Sequence, residues 1–290
     1  MTESHLIEVR NGVRLSAGLV GDGPAVLLNG GMGMPGTTWQ LTGLPDLLVE
    51  RGFSVLTYSA RGVSPSDAPP PPYSIPEMAD DAASLVTYFG IDDVVVVGYS
   101  MGCYVTQALV SAALAGGRTT INGVAMIAGL RSSAIGELVN EMQLDLIDRL
   151  GEVPSHVATF ETLMTTLGVE QLQDAATVRA WRSILTESDS SYSSDDGRHG
   201  QVAASHGWMT AAEPTPERLA GIDVPALVVA YQDDLFFPPA TSREAAALLP
   251  QSEFVQVDGL THGGLILDPA RTVNPLVADF CERVAATPLP

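Results

Sequence analysis

Residues 94–103, VVVVGYSMGC, carry an apolar run straight into a serine held between two glycines. The four valines read as a buried strand. The residues after them, CYVTQALVSAAL, read as the helix that follows. Gly-x-Ser-x-Gly at such a junction makes a sharp turn that forces Ser100 out at the top of a sheet, beside the N–H groups of a helix N-terminus. That is a setting for a nucleophile. A hydroxyl is a weak nucleophile at neutral pH, so it needs a base, and the base needs an acid to orient it.

Five histidines are available. His262 lies in GLTHGG just past the last apolar run, where the chain returns to the edge that carries Ser100, and it is the candidate base. His5 reads as surface and His156 and His199 as solvated. His206, in SHGWM, is expected over the pocket as a substrate contact. The acid should follow another strand on the same edge, and LVVAYQDDLFFP offers Asp233 and Asp234 there. Asp234, the nearer to Pro238, is the favoured one, and Asp233 reads as a turn or surface carboxylate.

A tetrahedral intermediate needs two N–H donors. The Met101 N–H and the Gly31 N–H of the loop Asn29-Gly30-Gly31-Met32 are the candidates. That loop is not GxGxxG and carries no lysine, which argues against a nucleotide site. Asn29, Met32, Tyr99, Trp181 and Trp208, with His206, are the expected substrate contacts. Met142, Leu146, Phe160 and Met164 are further candidates for the pocket wall.

The elements that must position these groups alternate. Strands are expected at 6–9 and 13–20, joined by Asn11-Gly12 as a hairpin, and then at 25–28, 53–58, 94–97, 124–128, 226–230 and 254–257. Helices are expected at 38–51, 75–89, 101–115, 241–249 and 273–285. Apolar strands alternating with helices predict an α/β fold with a mostly parallel eight-stranded sheet covered on both faces. Between 131 and 185 the alternation gives way to three helical segments. Residues 186–200, rich in Ser and Asp, read as a mobile loop. The chain therefore divides into a first core part at 1–130, a helical cap insertion at 131–222 and a second core part at 223–290.

The composition narrows the partners. The net charge is −20, from 34 acidic residues and 14 basic ones, all of them arginine. Nucleic acid and anionic membrane both need a basic face, so neither is expected as a partner. The acidic surface favours a neutral, partly apolar small molecule. Cys103 and Cys281 sit in no CxxC or Cys/His cluster, so no metal, no cofactor and no disulfide framework is expected. Cys103 reads as a small buried residue. Residues 94–117 are long enough to span a bilayer, yet Gly98 and Gly102 argue for a buried strand and helix. The opening MTESHLIEVRNG has no apolar signal segment, and a cytoplasmic location is expected. A homodimer is left open.

With these residues in view, the chain resembles the α/β-hydrolase superfamily over nearly its whole length. The order Ser100, Asp234, His262 is that of the superfamily, with a helical cap between nucleophile and acid. YSARGVSPS, Tyr58 to Ser66, resembles its DxRGxGxS loop, and Gly259-Leu260-Thr261-His262 resembles its GxGH. There are three departures. Asn29 stands where many members have histidine, Ser59 where they have the acid of DxRG, and Cys103 where they have a second glycine. The resemblance implies an ester, lactone or thioester hydrolase working through an acyl-enzyme, with the cap shaping the pocket. It is similar to esterases, lactonases, C–C hydrolases and tailoring enzymes of secondary metabolism. Two alternatives stay open: a non-hydrolytic acyltransferase, cyclase or isomerase, motivated by Ser59 and Asn29, and a small-molecule receptor, motivated by the 186–200 segment.

Overall fold

Successive side chains in an apolar strand face opposite sides of a sheet, so a continuous run needs cover on both. The computed structural model describes residues 4–116, 119–187 and 191–286, and its sheet meets that need. Strands β1 (His5–Glu8) and β2 (Arg14–Val20) pair antiparallel. They are joined through a short turn in which Asn11 and Gly12 both take positive φ, 61° and 75°, as the Asn-Gly signal requires. Then come β3 (Ala25–Asn29), α1 (Thr38–Thr42), α2 (Leu44–Glu50), β4 (Ser54–Tyr58), α3 (Ile75–Tyr88), β5 (Asp93–Tyr99), α4 (Gly102–Leu114) and β6 (Thr120–Ile127). Six helices intervene: α5 (Ala134–Leu150), α6 (Ser155–Thr166), α7 (Val169–Gln173), α8 (Ala175–Glu187), α9 (Asp195–Thr210) and α10 (Pro216–Ala220). The chain closes with β7 (Ala226–Tyr231), α11 (Pro239–Ala246), β8 (Ser252–Val257), α12 (Gly264–Leu267) and α13 (Val273–Ala285).

The eight strands lie in the order β1-β2-β4-β3-β5-β6-β7-β8. β2 runs antiparallel to both neighbours, and every later pairing is parallel. Val94 and Val96 join Leu27, Met126 and Val228 on one face, under Met78 and Leu85 of α3 and Tyr104 and Leu109 of α4. Val95 and Val97 join Val26, Leu28, Ile127 and Val229 on the other, under Trp39, Leu48, Val277 and Phe280. The uncharged window thus becomes β5 and α4 over residues 94–114. No helix among the described residues is long and apolar enough to cross a membrane.

Three sequence expectations need correction. The helix expected at 38–51 is two helices, broken at Gly43, whose φ is 69°. The Arg271 guanidinium fills the space a Cβ would take there, and Pro45 opens the second helix. The 131–185 stretch holds four helices where three were expected. The Ser/Asp-rich segment is not all loop. Ser194 accepts from the Gly197 N–H as N-cap of α9, and Asp195 and Asp196 complement the dipole in its first turn. Residues 188–190 of that segment lie outside the described residues.

The loop after β4 is anchored by a buried ion pair. Arg61 donates from Nε and a terminal nitrogen to both oxygens of Asp81 on α3, at 2.7 and 2.8 Å. The two residues are 6% and 1% exposed. Removing Asp81 leaves the buried guanidinium only the half-exposed Glu77 carboxylate, 3.7 Å away. Asp81→Ala is therefore expected to lose about 3–5 kcal/mol of stability. Urea unfolding checks this, and a loss below about 1 kcal/mol would mean that water compensates the guanidinium.

Candidate active site

The parallel strands end at one edge, and the loops leaving them bring the chemistry-bearing residues together. Ser100 follows β5 with φ 54°, a left-handed conformation that costs a non-glycine residue energy and is stable only when its surroundings enforce it. The surroundings do. The Ser100 N–H donates to the Ile127 carbonyl at 3.0 Å. A Cβ on Gly102 would stand 2.1 Å from the Asn29 carbonyl oxygen, and one on Gly98 would stand 2.7 Å from the Gly102 oxygen. Both glycines are therefore demanded by close approach of β3, β5 and α4.

Ser100 Oγ lies 2.9 Å from His262 Nε2, and His262 Nδ1 lies 2.8 Å from Asp234 Oδ2. Asp234 is 3% exposed. Its Oδ1 accepts from the Phe236 and Phe237 N–H groups at 2.8 and 3.0 Å, which fixes the carboxylate. Asp233 is exposed, and its N–H donates to the Leu260 carbonyl, so of the two candidate acids only Asp234 reaches the histidine. The imidazole is stacked between Tyr99 and Phe237, at 5.6 and 5.5 Å, with Phe236 edge-on at 5.0 Å. The Tyr99 hydroxyl donates to the His262 carbonyl at 2.6 Å, and Thr261 donates to the Thr166 carbonyl, tethering the same loop from both sides.

Gly31 sits against Ser100: a Cβ built on it would lie 3.2 Å from the serine Cβ. Neither the Gly31 N–H nor the Met101 N–H has a hydrogen-bond partner among the described residues. Asn29 holds this loop from behind and does not reach the cavity, which corrects its expected role as a substrate contact. It is fully buried, accepts from the Tyr58 hydroxyl and donates to Thr106 Oγ1, both at 2.9 Å. Ser59 also works as a strut, accepting from the Gly36 N–H and donating to the Ser64 carbonyl. Cys103 is buried, with Sγ 3.2 Å from the Gly98 carbonyl oxygen, and burial pushes its thiol well up, away from reactivity. Gln201 was not singled out from the sequence. Its Oε1 accepts from the Gly33 N–H and its Nε2 donates to the Arg61 carbonyl, each at 2.8 Å, so α9 pins two core loops.

Above Ser100 lies a cavity of about 390 Å³. Gly31, Met32, Tyr99, Ser100, Met101, Phe236, Phe237 and His262 line its floor. Gly136, Val139, Asn140 and Gln143 of α5, Ala158, Glu161 and Thr162 of α6, Tyr192, and Arg198, Ser205 and Met209 of α9 line the side toward the insertion. Met32 and Tyr99, two of the expected substrate contacts, line the cavity. Trp181, His206 and Trp208 do not. Arg198, Ser205 and Met209 mark the cavity face of α9, and His206, about 100° round the helix from Ser205, is outside the lining. Trp208 is core, stacked on Tyr104 at 5.9 Å with the Arg218 guanidinium over it. Trp181, on α8, is outside the lining. Leu146 is also outside it, and Met142, Phe160 and Met164 are exposed on the opposite faces of α5 and α6. Among the described residues no three His, Cys, Asp or Glu side chains gather as metal ligands would.

Burial pushes the Glu161 carboxyl up from its ordinary 4.5 to about 7, against the opposing pull of Arg198 and the hydrogen bonds from Gln143. The native state then binds this proton more tightly than the unfolded chain does. Stability is expected to fall as pH rises from about 4.5 to about 7. Unfolding midpoints of wild type and Glu161→Gln, compared between about pH 5 and about pH 8, check this: the variant should gain on wild type as pH rises, and a constant difference would refute it.

The model of the Alpha/beta hydrolase family matches residues 25–274. BpoC of Mycobacterium tuberculosis, named a candidate non-heme bromoperoxidase, is 26% identical over 269 residues, covering 92% of this chain and 97% of its own. The fold also matches a thermophilic esterase from Thermogutta terrifontis, with TM-score 0.78 and 23% identity over 98% of this chain and 100% of that one. An enol-lactonase from Burkholderia xenovorans matches with TM-score 0.77 and 22% identity over 96% and 100%. At these identities the two structures establish likeness of fold.

Proposed function

The chain belongs to the alpha/beta hydrolase family, and from that premise we propose that it is a serine hydrolase of small-molecule esters, lactones or thioesters. The observation that carries the reading is the unbroken hydrogen-bonded line from Ser100 Oγ through His262 to Asp234 at the floor of a cavity. In this reading His262 Nε2 takes the hydroxyl proton as Ser100 Oγ bonds to the substrate carbonyl carbon. Asp234 accepts from Nδ1–H, holding the tautomer and stabilising the imidazolium. The unpartnered N–H groups of Met101 and Gly31 bind the oxyanion. The imidazolium gives its proton to the departing alcohol or thiol, leaving an acyl-Ser100. Water then adds to the acyl carbon, His262 takes a proton from it, and the acid leaves with Ser100 restored.

The esterase and lactonase names of the structural neighbours agree with this bond class. The non-hydrolytic alternative loses its motive, because Asn29 and Ser59 are both committed to holding loops. The small-molecule receptor loses part of its motive too, since 195–200 is helix.

A fluorophosphonate is expected to add once to the wild-type protein, as read by intact mass, and not to Ser100→Ala. Asp234→Asn is expected to lower kcat on a reactive ester by ~10⁴ while leaving the fold intact. A folded wild type that resists the phosphonate and turns over no ester or lactone would overturn the proposal.

A further inference from the structure

The cavity has two unlike sides. The core loops offer the nucleophile among aromatic rings, and the side toward the insertion is a polar wall. Gln143 is 3% exposed and lines that wall. Its Nε2 donates to both oxygens of Glu161, at 2.8 and 2.9 Å. With the amide nitrogen turned toward that carboxyl group, Gln143 Oε1 is buried with no partner among the described residues. Asn140 is likewise 3% exposed. Its Nδ2 donates to Ser205 Oγ at 2.8 Å, and its Oδ1 has no hydrogen-bond donor among the described residues. Arg198 supplies the opposite need. It stacks over the Tyr192 ring at 5.1 Å and donates from a terminal nitrogen to the Val153 carbonyl at 3.5 Å, while its Nε is buried with no partner among the described residues. It is near enough to pull on the Glu161 charge, yet the two form no ion pair. Among the described residues, acceptors and a donor therefore stand unmatched in side chains that line this cavity, and each such group is costly while it stays so.

We propose that this wall is a subsite for a neutral group with an N–H donor beside a carbonyl acceptor: a primary carboxamide or ureido group at the end of the substrate remote from the bond that breaks. Such a group gives its N–H to Gln143, Asn140 or Glu161 and receives from Arg198. A carboxylate would face Glu161, and an ammonium would face Arg198. An alkyl end would leave every one of these groups unmatched, and a single hydroxyl cannot span both sides. The inference rests on the proposed hydrolase reading only for which end of the substrate lies at Ser100.

The test uses 4-nitrophenyl esters of equal acyl length ending in a carboxamide, a carboxylate or an isopropyl group. Wild type is expected to favour the carboxamide over the isopropyl ester by about tenfold in kcat/KM, with the carboxylate ester no better than the isopropyl one. Gln143→Leu and Arg198→Met should each pull the carboxamide-to-isopropyl ratio toward one, and because the readout is a ratio, either variant suffices if the other misfolds. A wild-type ratio near one, or a ratio unmoved in a folded variant, overturns the subsite. Fluorophosphonate labelling separates the two readings: labelling without carboxamide preference sinks the subsite and leaves the hydrolase. If labelling fails, calorimetry with the same acyl chains as unreactive methyl ketones decides. Tenfold tighter binding of the carboxamide chain supports the subsite, and equal binding overturns it.

Discussion

One backbone conformation sustains the rest: the left-handed turn at Ser100. It is held by packing that leaves no room for alternatives. β3, β5 and α4 approach so closely at Gly98 and Gly102 that a single methyl group would strike backbone atoms. The same approach brings Gly31 against the serine. The buried chain from Tyr58 through Asn29 and Thr106 to the Gly102 carbonyl then locks the loop to the helix. The energy stored at one residue is met by three elements, and the turn places Ser100 Oγ 2.9 Å from His262 Nε2.

How legible this was follows from how local each feature is. The elbow is written in ten consecutive residues, because the strand, the turn and the helix that make it are contiguous. His262 and Asp234 were readable because each follows an apolar strand on the same edge. Asp234 parts from Asp233 through its hydrogen bonds to the Phe236 and Phe237 amides, a turn geometry that Pro238 only hints at. Asn29 and Ser59 were noticed as departures from a pattern, but their type could not say whether they face a ligand or a loop. Burial and hydrogen bonding show that they hold loops.

The wall of the cavity was not legible. Large apolar residues of α5 and α6 were natural candidates, and they lie on the outer faces, while Asn140, Gln143 and Glu161 face inward. A helix pattern tells which residues share a face, not which face meets the cavity. That choice is made by contacts distant in sequence, among them Asn140 with Ser205 and Gln143 with Glu161. The Ser/Asp-rich run before α9 misled for a related reason: residues that favour loops also begin helices.

Gln201 and its neighbours on α9 bear on how such a chain could be remodelled. Gly197 packs backbone to backbone on Gly62, Gly200 lies on the Tyr73 ring, and Gln201 bridges Gly33 and Arg61. By these bonds α9 is mechanically a piece of the core. The helices before it are also tied in: the Thr166 carbonyl at the end of α6 holds Thr261 beside His262, and Asn140 of α5 holds Ser205 of α9. A graft that exchanged the entire insertion would strip the loop beside the serine of its brace, whereas one that ended before Ser194 would keep that brace and would have to restore the contacts to Thr261 and Ser205.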